Sequence, residues 1–523
     1  MKVLLMHHDR DFNPKIVNQQ GTTDLIKDLQ LDILFTTMAA GDPFLLQIAK
    51  GAMLASLVDA REITYRQDIL ADCLEHPATL RELYSVSVEA IEAERRVWGL
   101  LSSRYAEGAL HRATEVLGVF QVFLRRLRQI ADTGEPVFRS QGFLRFFKMI
   151  QKELDDSYLE TVREHLRQLQ FSGGVLISAA IGIGGKGADY TLRKPSPLNT
   201  GWLDRMHTWT EALFSGNEER LTYEVDPRDE AGFRALSDLR VQGIRHVARA
   251  LTQSTDHILG FFKSLRTELG FYIGCLNLHD RLAEKQEPIC FPQPLSATRH
   301  ELQCQALYDV CLSLSLPERA VGNDVSASGK SLIVITGANR GGKSTFLRSV
   351  GIAQLMVQCG MFVPANEFRA NICTGIYSHF KREEDAGMKS GKLDEELARM
   401  STMVDHICSG GMVLFNESFA STNEREGAQI AREIVKVLLE AGIKIFYVTH
   451  MFELSSGFYQ ANIPEALFLR AERLSDETRT FRLLEGSPLP TSYGEDLYQQ
   501  IFSNTPPPVQ NAADCGSPET EVL

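Results

Sequence analysis

The residues best able to do chemistry are Gly337-Ala338-Asn339-Arg340-Gly341-Gly342-Lys343-Ser344-Thr345, which satisfy the phosphate-loop spacing G-x-x-x-x-G-K-[ST] in full. Glycines let a backbone curl until its N–H groups face phosphate oxygens, and a helix starting behind them adds positive potential. In such a loop Lys343 reaches the β- and γ-phosphates, and the Ser344 hydroxyl holds Mg2+. Two later stretches complete the chemistry of an ATPase. Gly411-Met412-Val413-Leu414-Phe415 runs into Asn416-Glu417, where a Walker B pair belongs. Glu417 is suited to orient the attacking water. Asn416 sits at the metal-shell position, where its amide oxygen accepts a hydrogen bond but brings no charge, so metal affinity or turnover is expected to fall below that of an aspartate. Ile443-Lys444-Ile445-Phe446-Tyr447-Val448-Thr449 then ends in His450, placed to sense the γ-phosphate.

These groups need strands to carry them. Ser331-Leu332-Ile333-Val334-Ile335-Thr336 is a short apolar, β-branched run that reads as a buried strand, and Phe346 to Val357 reads as the helix behind the loop. The first half of the chain is different. From about residue 23 to 169 apolar residues recur at helical spacing, with breaks at Gly41-Asp42-Pro43, Pro77 and Gly134-Glu135-Pro136. Arg125, Arg126, Arg128, Arg139 and Arg145 interleave with Phe120, Phe123, Phe143, Phe146 and Phe147. The helical spacing of the aromatics favours core phenylalanines and solvated arginines over a nucleic-acid surface. Gly182-Ile183-Gly184-Gly185-Lys186-Gly187 matches G-x-G-x-x-G but lies between two β-like runs, so a glycine-rich hairpin is expected rather than a dinucleotide site. Helical periodicity returns from about residue 231 to 284. The adjacent His7 and His8 point to opposite faces of an extended segment, which favours a solvated terminus over a metal site.

The 523 residues suffice for several domains, and 44% hydrophobic with 23% charged residues is ordinary for a soluble protein. A net charge of −12 excludes a wholly basic nucleic-acid coat but not a local basic patch. None of the nine cysteines forms a C-x-x-C pair, which points to reduced thiols. No signal pattern opens the chain and no apolar run approaches about 20 residues. A cytoplasmic protein with no membrane contact is expected.

Taken together the motifs resemble those of the MutS ATPases of DNA mismatch repair. The phosphate loop is similar to that family's G-P-N-x-x-G-K-S-T. Asn323-Asp324 resembles its N-D pair and Val363-Pro364-Ala365 its V-P-A. Asn416-Glu417, with Ser421-Thr422 and Gly427, resembles D-E…G-T-S-T-x-x-G, and Thr449-His450-Met451-Phe452-Glu453-Leu454 resembles T-H-x-x-E-L. The likeness covers about residues 319 to 454. It implies a multidomain α and α/β fold, a helical core with long lever and clamp arms followed by a P-loop (ABC-type) ATPase domain. The implied segments are 1–86 (terminus and core), 87–290 (levers, with a clamp-like β insert near 171–230), 291–502 (ATPase) and 503–523 (disordered tail). It implies ATP and Mg2+ as ligands, a homodimer with composite ATP sites, and double-stranded or branched DNA as partner. Ser390 stands where a serine makes the contact across the dimer, although Leu393-Asp394 replaces the S-T pair that follows it in the family. The adenine-stacking aromatic has no counterpart, and Ala320 occupies that slot. The helical core starts by about residue 25, which leaves no room for mismatch-recognition or connector domains, and no nuclease-like domain follows the ATPase. A reduced MutS homologue acting as a DNA clamp in repair or recombination, without conventional mismatch recognition, is the expectation. The alternative is a nucleotide switch or scaffold with little hydrolysis, acting on a protein or ribonucleoprotein.

Overall fold

Helical periodicity in the first half becomes a succession of helices: α1 (Thr22–Asp28), α2 (Leu31–Ala39), α3 (Pro43–Leu54), α4 (Ala60–Glu75), α5 (Pro77–Leu100), α6 (Ala106–Gly134), α7 (Gln141–Glu153) and α8 (Asp156–Gln168). The computed structural model describes residues 1–15, 21–100, 106–169, 176–181, 187–193, 230–296, 300–382, 391–474 and 478–490. The sequence breaks act as caps. Asp42 accepts the Phe44 N–H at 2.7 Å with Pro43 in the first turn of α3, and α5 starts at Pro77. Strands β1 (Leu176–Ile181) and β2 (Gly187–Arg193) pair antiparallel, as a hairpin requires. Helix α9 (Glu230–Glu284) then runs 55 residues, about 80 Å at 1.5 Å per residue. The remaining elements are β3 (Gln293–Leu295), β4 (Leu302–Leu307), α10 (Val310–Ser315), β5 (Asn323–Ser326), β6 (Leu332–Gly337), α11 (Lys343–Gln358), β7 (Glu367–Asn371), β8 (Ile376–Phe380), α12 (Lys392–Val404), β9 (Met412–Asn416), α13 (Glu424–Glu440), β10 (Lys444–Val448), α14 (Phe452–Gln460), β11 (Ala466–Arg473) and β12 (Arg479–Glu485).

By contact the chain forms two units, one of residues 1–12 and 68–273 and one of residues 13–67 and 274–523. The sequence-based segments 1–86 and 87–290 run across both. The insert residues 194–229, Ser390 and the tail 503–523 lie outside the described residues.

In the helical unit the basic-aromatic mixture separates. Phe120, Phe143, Phe146 and Phe147 are buried, and the Phe138 and Phe143 rings lie 4.6 Å apart. The arginines tie helices together: Arg126 pairs with Glu89 at 2.7 Å, and Arg128 donates to the Gln151 and Leu154 carbonyls. The N-terminal segment departs from the solvated terminus expected. Leu5 and Met6 are fully buried, and their N–H groups donate to Glu268 of α9 at 2.6 and 2.9 Å. The Tyr272 hydroxyl donates to the Leu5 carbonyl. The short apolar run Val3-Leu4-Leu5-Met6 is held by one carboxylate instead of by strand pairing. His7 is buried and His8 exposed, the opposite-face arrangement that extended backbone imposes.

The second unit holds a six-stranded sheet in the order β12-β11-β6-β10-β9-β8. Every pair is parallel except β11 with β12. The central strands are buried on both faces, which explains their unbroken apolar runs. Val413, Phe415 and Tyr447 pack with Ala431, Val435 and Leu454 from α13 and α14 in one core. A smaller sheet has the order β3-β7-β4-β5, with β5 against β12 of the larger one. Among the described residues no helix is long and apolar enough to cross a membrane, and the described cysteines are free thiols.

Candidate nucleotide site

The three sequence motifs end three adjacent strands, β6, β10 and β9, on the C-terminal edge of a parallel sheet. That edge is where α/β sheets gather their ligands. The phosphate loop needs its glycines at two points. Gly337 has φ 107° and a Cβ there would meet the Ala471 backbone nitrogen at 2.8 Å; Gly342 has φ 88° and directly precedes α11. The resulting turn aims the first N–H groups of α11 outward with no side-chain cap. The Lys343 ammonium donates to the Gly337 and Ala338 carbonyls at 2.9 and 3.0 Å. Burial lowers its pKa, and the Glu417 carboxylate partly offsets that. The Ser344 hydroxyl donates to Asn416 Oδ1 at 2.8 Å, bringing the two candidate metal-shell groups into contact between the start of α11 and the end of β9.

Glu417 follows β9 and His450 follows β10. His450 Nδ1 lies 3.8 Å from Glu417 Oε1, an ion-pair distance rather than a hydrogen bond. The imidazole holds the Glu417 carboxyl below its ordinary range against the opposing effect of burial, and Lys343 acts in the same direction. Glu417 and Phe419 both take left-handed backbone, at φ 54° and 62°, a conformation costing a non-glycine residue roughly 1 kcal/mol. Strained backbone of this kind collects at working sites.

A cavity of about 540 Å³ opens over these groups, lined by Asn339 to Phe346, Glu417 and, at the far end, Leu316 to Val321. It falls within the size of small-molecule sites. Ala320 lines it as well. Sequence reasoning missed Phe481, which lines the same cavity from β12. It is placed there by Asn323, whose Nδ2 donates to the Phe481 carbonyl at 3.2 Å and whose Oδ1 accepts the Leu483 N–H at 2.7 Å. Arg479 of the same strand donates to the Asn339 carbonyl at 2.8 Å. Its only sequence signal was an asparagine in the N-D pair far upstream. Gly337 through Thr345, Asn416, Glu417 and His450 thus meet at one edge, and Ser390 lies outside the described residues.

The donor set fits a nucleotide with its metal. The glycine turn forms a cradle that a Cβ would fill, Lys343 supplies a cation inside it, and Ser344 with Asn416 presents a hydroxyl and an amide oxygen. That oxygen pair is neutral, so the charge facing a cation comes from Glu417 and the phosphates.

Two stretches of the chain match known protein families. Residues 58–285 match the family model described as the MutS2 N-terminal domain, and residues 333–515 match the one described as MutS domain V. Among curated proteins, "Endonuclease MutS2" of Lacticaseibacillus casei (strain BL23) is 27% identical over 259 residues, 48% of this chain and 32% of that protein. The protein of the same description from Streptococcus equi subsp. equi (strain 4047) is 27% identical over 279 residues, 53% and 33% of the two chains. That from Leuconostoc citreum (strain KM20) is 29% identical over 237 residues, 44% and 28%. The matched region spans about a third of the length of these curated relatives.

Proposed function

The chain belongs to the MutS family and is of the MutS2 type, with a MutS2 N-terminal domain and a MutS domain V, and on that premise we propose that it is a Mg2+-dependent ATPase that works as a dimeric DNA-binding clamp. The observation that carries the reading is the meeting of Lys343, the Ser344–Asn416 pair and the Glu417–His450 pair at one parallel-sheet edge, with Lys343, Ser344 and Glu417 lining one cavity.

In this reading the N–H groups of residues 339–345 and the Lys343 ammonium hold the phosphates, and Phe481 walls the base end of the cavity. Ser344 and Asn416 hold Mg2+. Bound there, Mg2+ would supply positive charge to neutralise the phosphoryl group being transferred. Glu417, kept ionised by His450, orients water toward the γ-phosphate. His450 lies on the same strand edge and reports the state of that phosphate to β10. Composite sites in a homodimer, with Ser390 contributing across the interface, and duplex or branched DNA held by the helical arms complete the proposal. The repair or recombination role extends to DNA binding and ATP turnover. Mismatch recognition is not proposed. Nor is the relatives' endonuclease name carried over, because the match covers about a third of each.

Asn416 favours a second reading, a slow nucleotide switch or scaffold, since it adds no charge to the metal shell. Steady-state ATPase with Mg2+, with and without duplex or branched DNA, separates the two. Lys343→Ala is expected to weaken nucleotide binding by about 100-fold, the loss of a charge-assisted phosphate contact. Glu417→Gln is expected to keep binding and lose about 100-fold or more in turnover. Turnover at the wild-type rate in Glu417→Gln would refute the assignment. Tight binding without turnover in the wild type, with or without DNA, would favour the switch.

A further inference from the structure

The turn that carries Glu417 is held from behind by residues the hydrolytic reading does not use. Ser418, between the two left-handed residues Glu417 and Phe419, is fully buried. Its Oγ lies 2.8 Å from His379 Nδ1 and also bonds the His379 carbonyl. Its own carbonyl accepts the Tyr447 hydroxyl at 2.8 Å, and the Glu417 N–H donates to the Val448 carbonyl at 2.9 Å. His379, at the end of β8, is itself fully buried and stacks on the Phe419 ring at 5.2 Å and 19°.

The tautomer of His379 follows from its partners. Nε2 lies 3.0 Å from the Glu396 carbonyl of α12, and a carbonyl only accepts. Nε2 therefore carries the proton, Nδ1 faces the Ser418 hydroxyl as an acceptor, and the single hydroxyl hydrogen is shared between Nδ1 and the His379 carbonyl. Burial keeps the ring neutral, with its pKa lowered to about 4. The Glu396 carboxylate accepts the Ser421 hydroxyl at 3.2 Å on the other side of the same turn. One residue of α12 thus holds the Glu417 turn at two points, through His379 at Ser418 and directly at Ser421.

We infer that His379 is a positioning residue for ATP hydrolysis: through Ser418 it holds the left-handed turn that aims Glu417 at the phosphate loop, and through Glu396 it makes that aim depend on where α12 sits. The inference rests on the reading of Glu417 as the hydrolytic carboxylate. It assigns α12 a role that leaves the nucleotide untouched. A displacement of this helix moves the carboxylate while Lys343 and Ser344 keep their places, so binding and turnover become separable.

The test uses the full chain and measures kcat, KM and the Kd of a non-hydrolysable ATP analogue, with thermal melting as the folding control. His379→Phe keeps a ring against Phe419 and removes both hydrogen bonds. Ser418→Ala removes one oxygen. His379→Asn restores an acceptor near the Nδ1 position. His379→Phe and Ser418→Ala are expected to lower kcat by about 10- to 100-fold, as for a small misplacement of a reacting group, with the analogue Kd within about 2-fold of wild type. His379→Asn is expected to recover part of kcat. Wild-type kcat in both His379→Phe and Ser418→Ala overturns the inference, and so does a parallel loss of kcat and analogue binding. Should His379→Phe fail to fold, Ser418→Ala decides alone. Glu417→Gln separates the two levels. If it is inactive while Ser418→Ala is fully active, only the positioning role falls. If it is active, the reading beneath it falls.

Discussion

Glu268 in the helical unit and Glu417 in the nucleotide-site unit are both drawn out of water, yet their surroundings push them in opposite directions. Glu268 is fully buried and accepts the backbone N–H groups of Leu5, Met6 and Phe12. Burial outweighs those bonds and raises its pKa to about 7. Glu417 faces the cavity beside His450 and near Lys343, and those neighbours hold its carboxyl below the ordinary range. Neutral amide donors satisfy a buried carboxylate but do not keep it charged; a nearby imidazole and ammonium do. The first arrangement suits a clip, which can carry a proton without losing its function. The second suits a group that must be ionised to orient water.

The largest expected effect on stability comes from breaking the clip. Glu268→Ala leaves the Leu5 and Met6 donors buried without their acceptor. At about 1–3 kcal/mol for each of the two unsatisfied donors, the helical unit should lose roughly 2–6 kcal/mol. Glu268→Gln keeps an amide oxygen and should lose about 1 kcal/mol. Glu417→Gln, at a half-exposed site without comparable backbone partners, should change stability by under about 1 kcal/mol. Urea melts of the three variants check this. Equal losses in Glu268→Ala and Glu417→Gln would erase the distinction between clip and catalytic carboxylate.

A smaller effect separates the units by pH. Glu268 in the folded unit keeps its proton to about pH 7, whereas the unfolded chain releases it near the ordinary carboxyl value of 4.5. Its contribution is therefore complete below pH 4.5 and is lost as pH rises toward 7, by at most about 3 kcal/mol. His379 runs the other way. The folded state stays neutral down to about pH 4 while the unfolded chain takes up a proton below 6.5. Its contribution is complete above 6.5 and is lost as pH falls toward 4, again by at most about 3 kcal/mol. Raising pH from 4.5 to 6.5 should weaken the helical unit and strengthen the nucleotide-site unit. Pulse proteolysis in urea, read from fragments of each unit, measures both; a shift of the same sign in both units would contradict the pairing of these groups with their surroundings.

The same two carboxylates mark what sequence reveals. Lys343, Asn416, Glu417 and His450 could be placed together because each follows an apolar run, and such runs become adjacent parallel strands. Their local order carries the three-dimensional order. Phe143, Phe146 and Phe147 could be assigned to a core from their spacing alone. Glu268 could not be found this way, since its partners lie more than 250 positions upstream and are backbone groups, which leave no trace in residue type. Phe481 and His379 escaped for a related reason. Antiparallel pairing of β12 with β11 and the packing of α12 against β8 bring them in, and neither is encoded near the motif it serves.

Asn416 allows the finest adjustment of the contrast. Its Oδ1 accepts the Ser344 hydroxyl at 2.8 Å, so an aspartate of the same shape can keep that bond while adding a charge. The added charge has two consequences that can be read separately. Toward a cation held by Ser344 and residue 416 it is attractive, and the Mg2+ concentration for half-maximal turnover should fall roughly 3- to 10-fold. Toward Glu417, the next residue, it is repulsive and opposes His450. The acid limb of the kcat/KM profile, where Glu417 takes up its proton, should move to higher pH by under about one unit in Asn416→Asp. Glu417 would then sit a step closer to Glu268, a carboxylate whose neighbours no longer secure its charge. A lower Mg2+ requirement with an unmoved acid limb would keep Asn416 at the metal and leave Glu417 governed by His450 and Lys343. An unchanged Mg2+ requirement would remove residue 416 from the metal shell altogether.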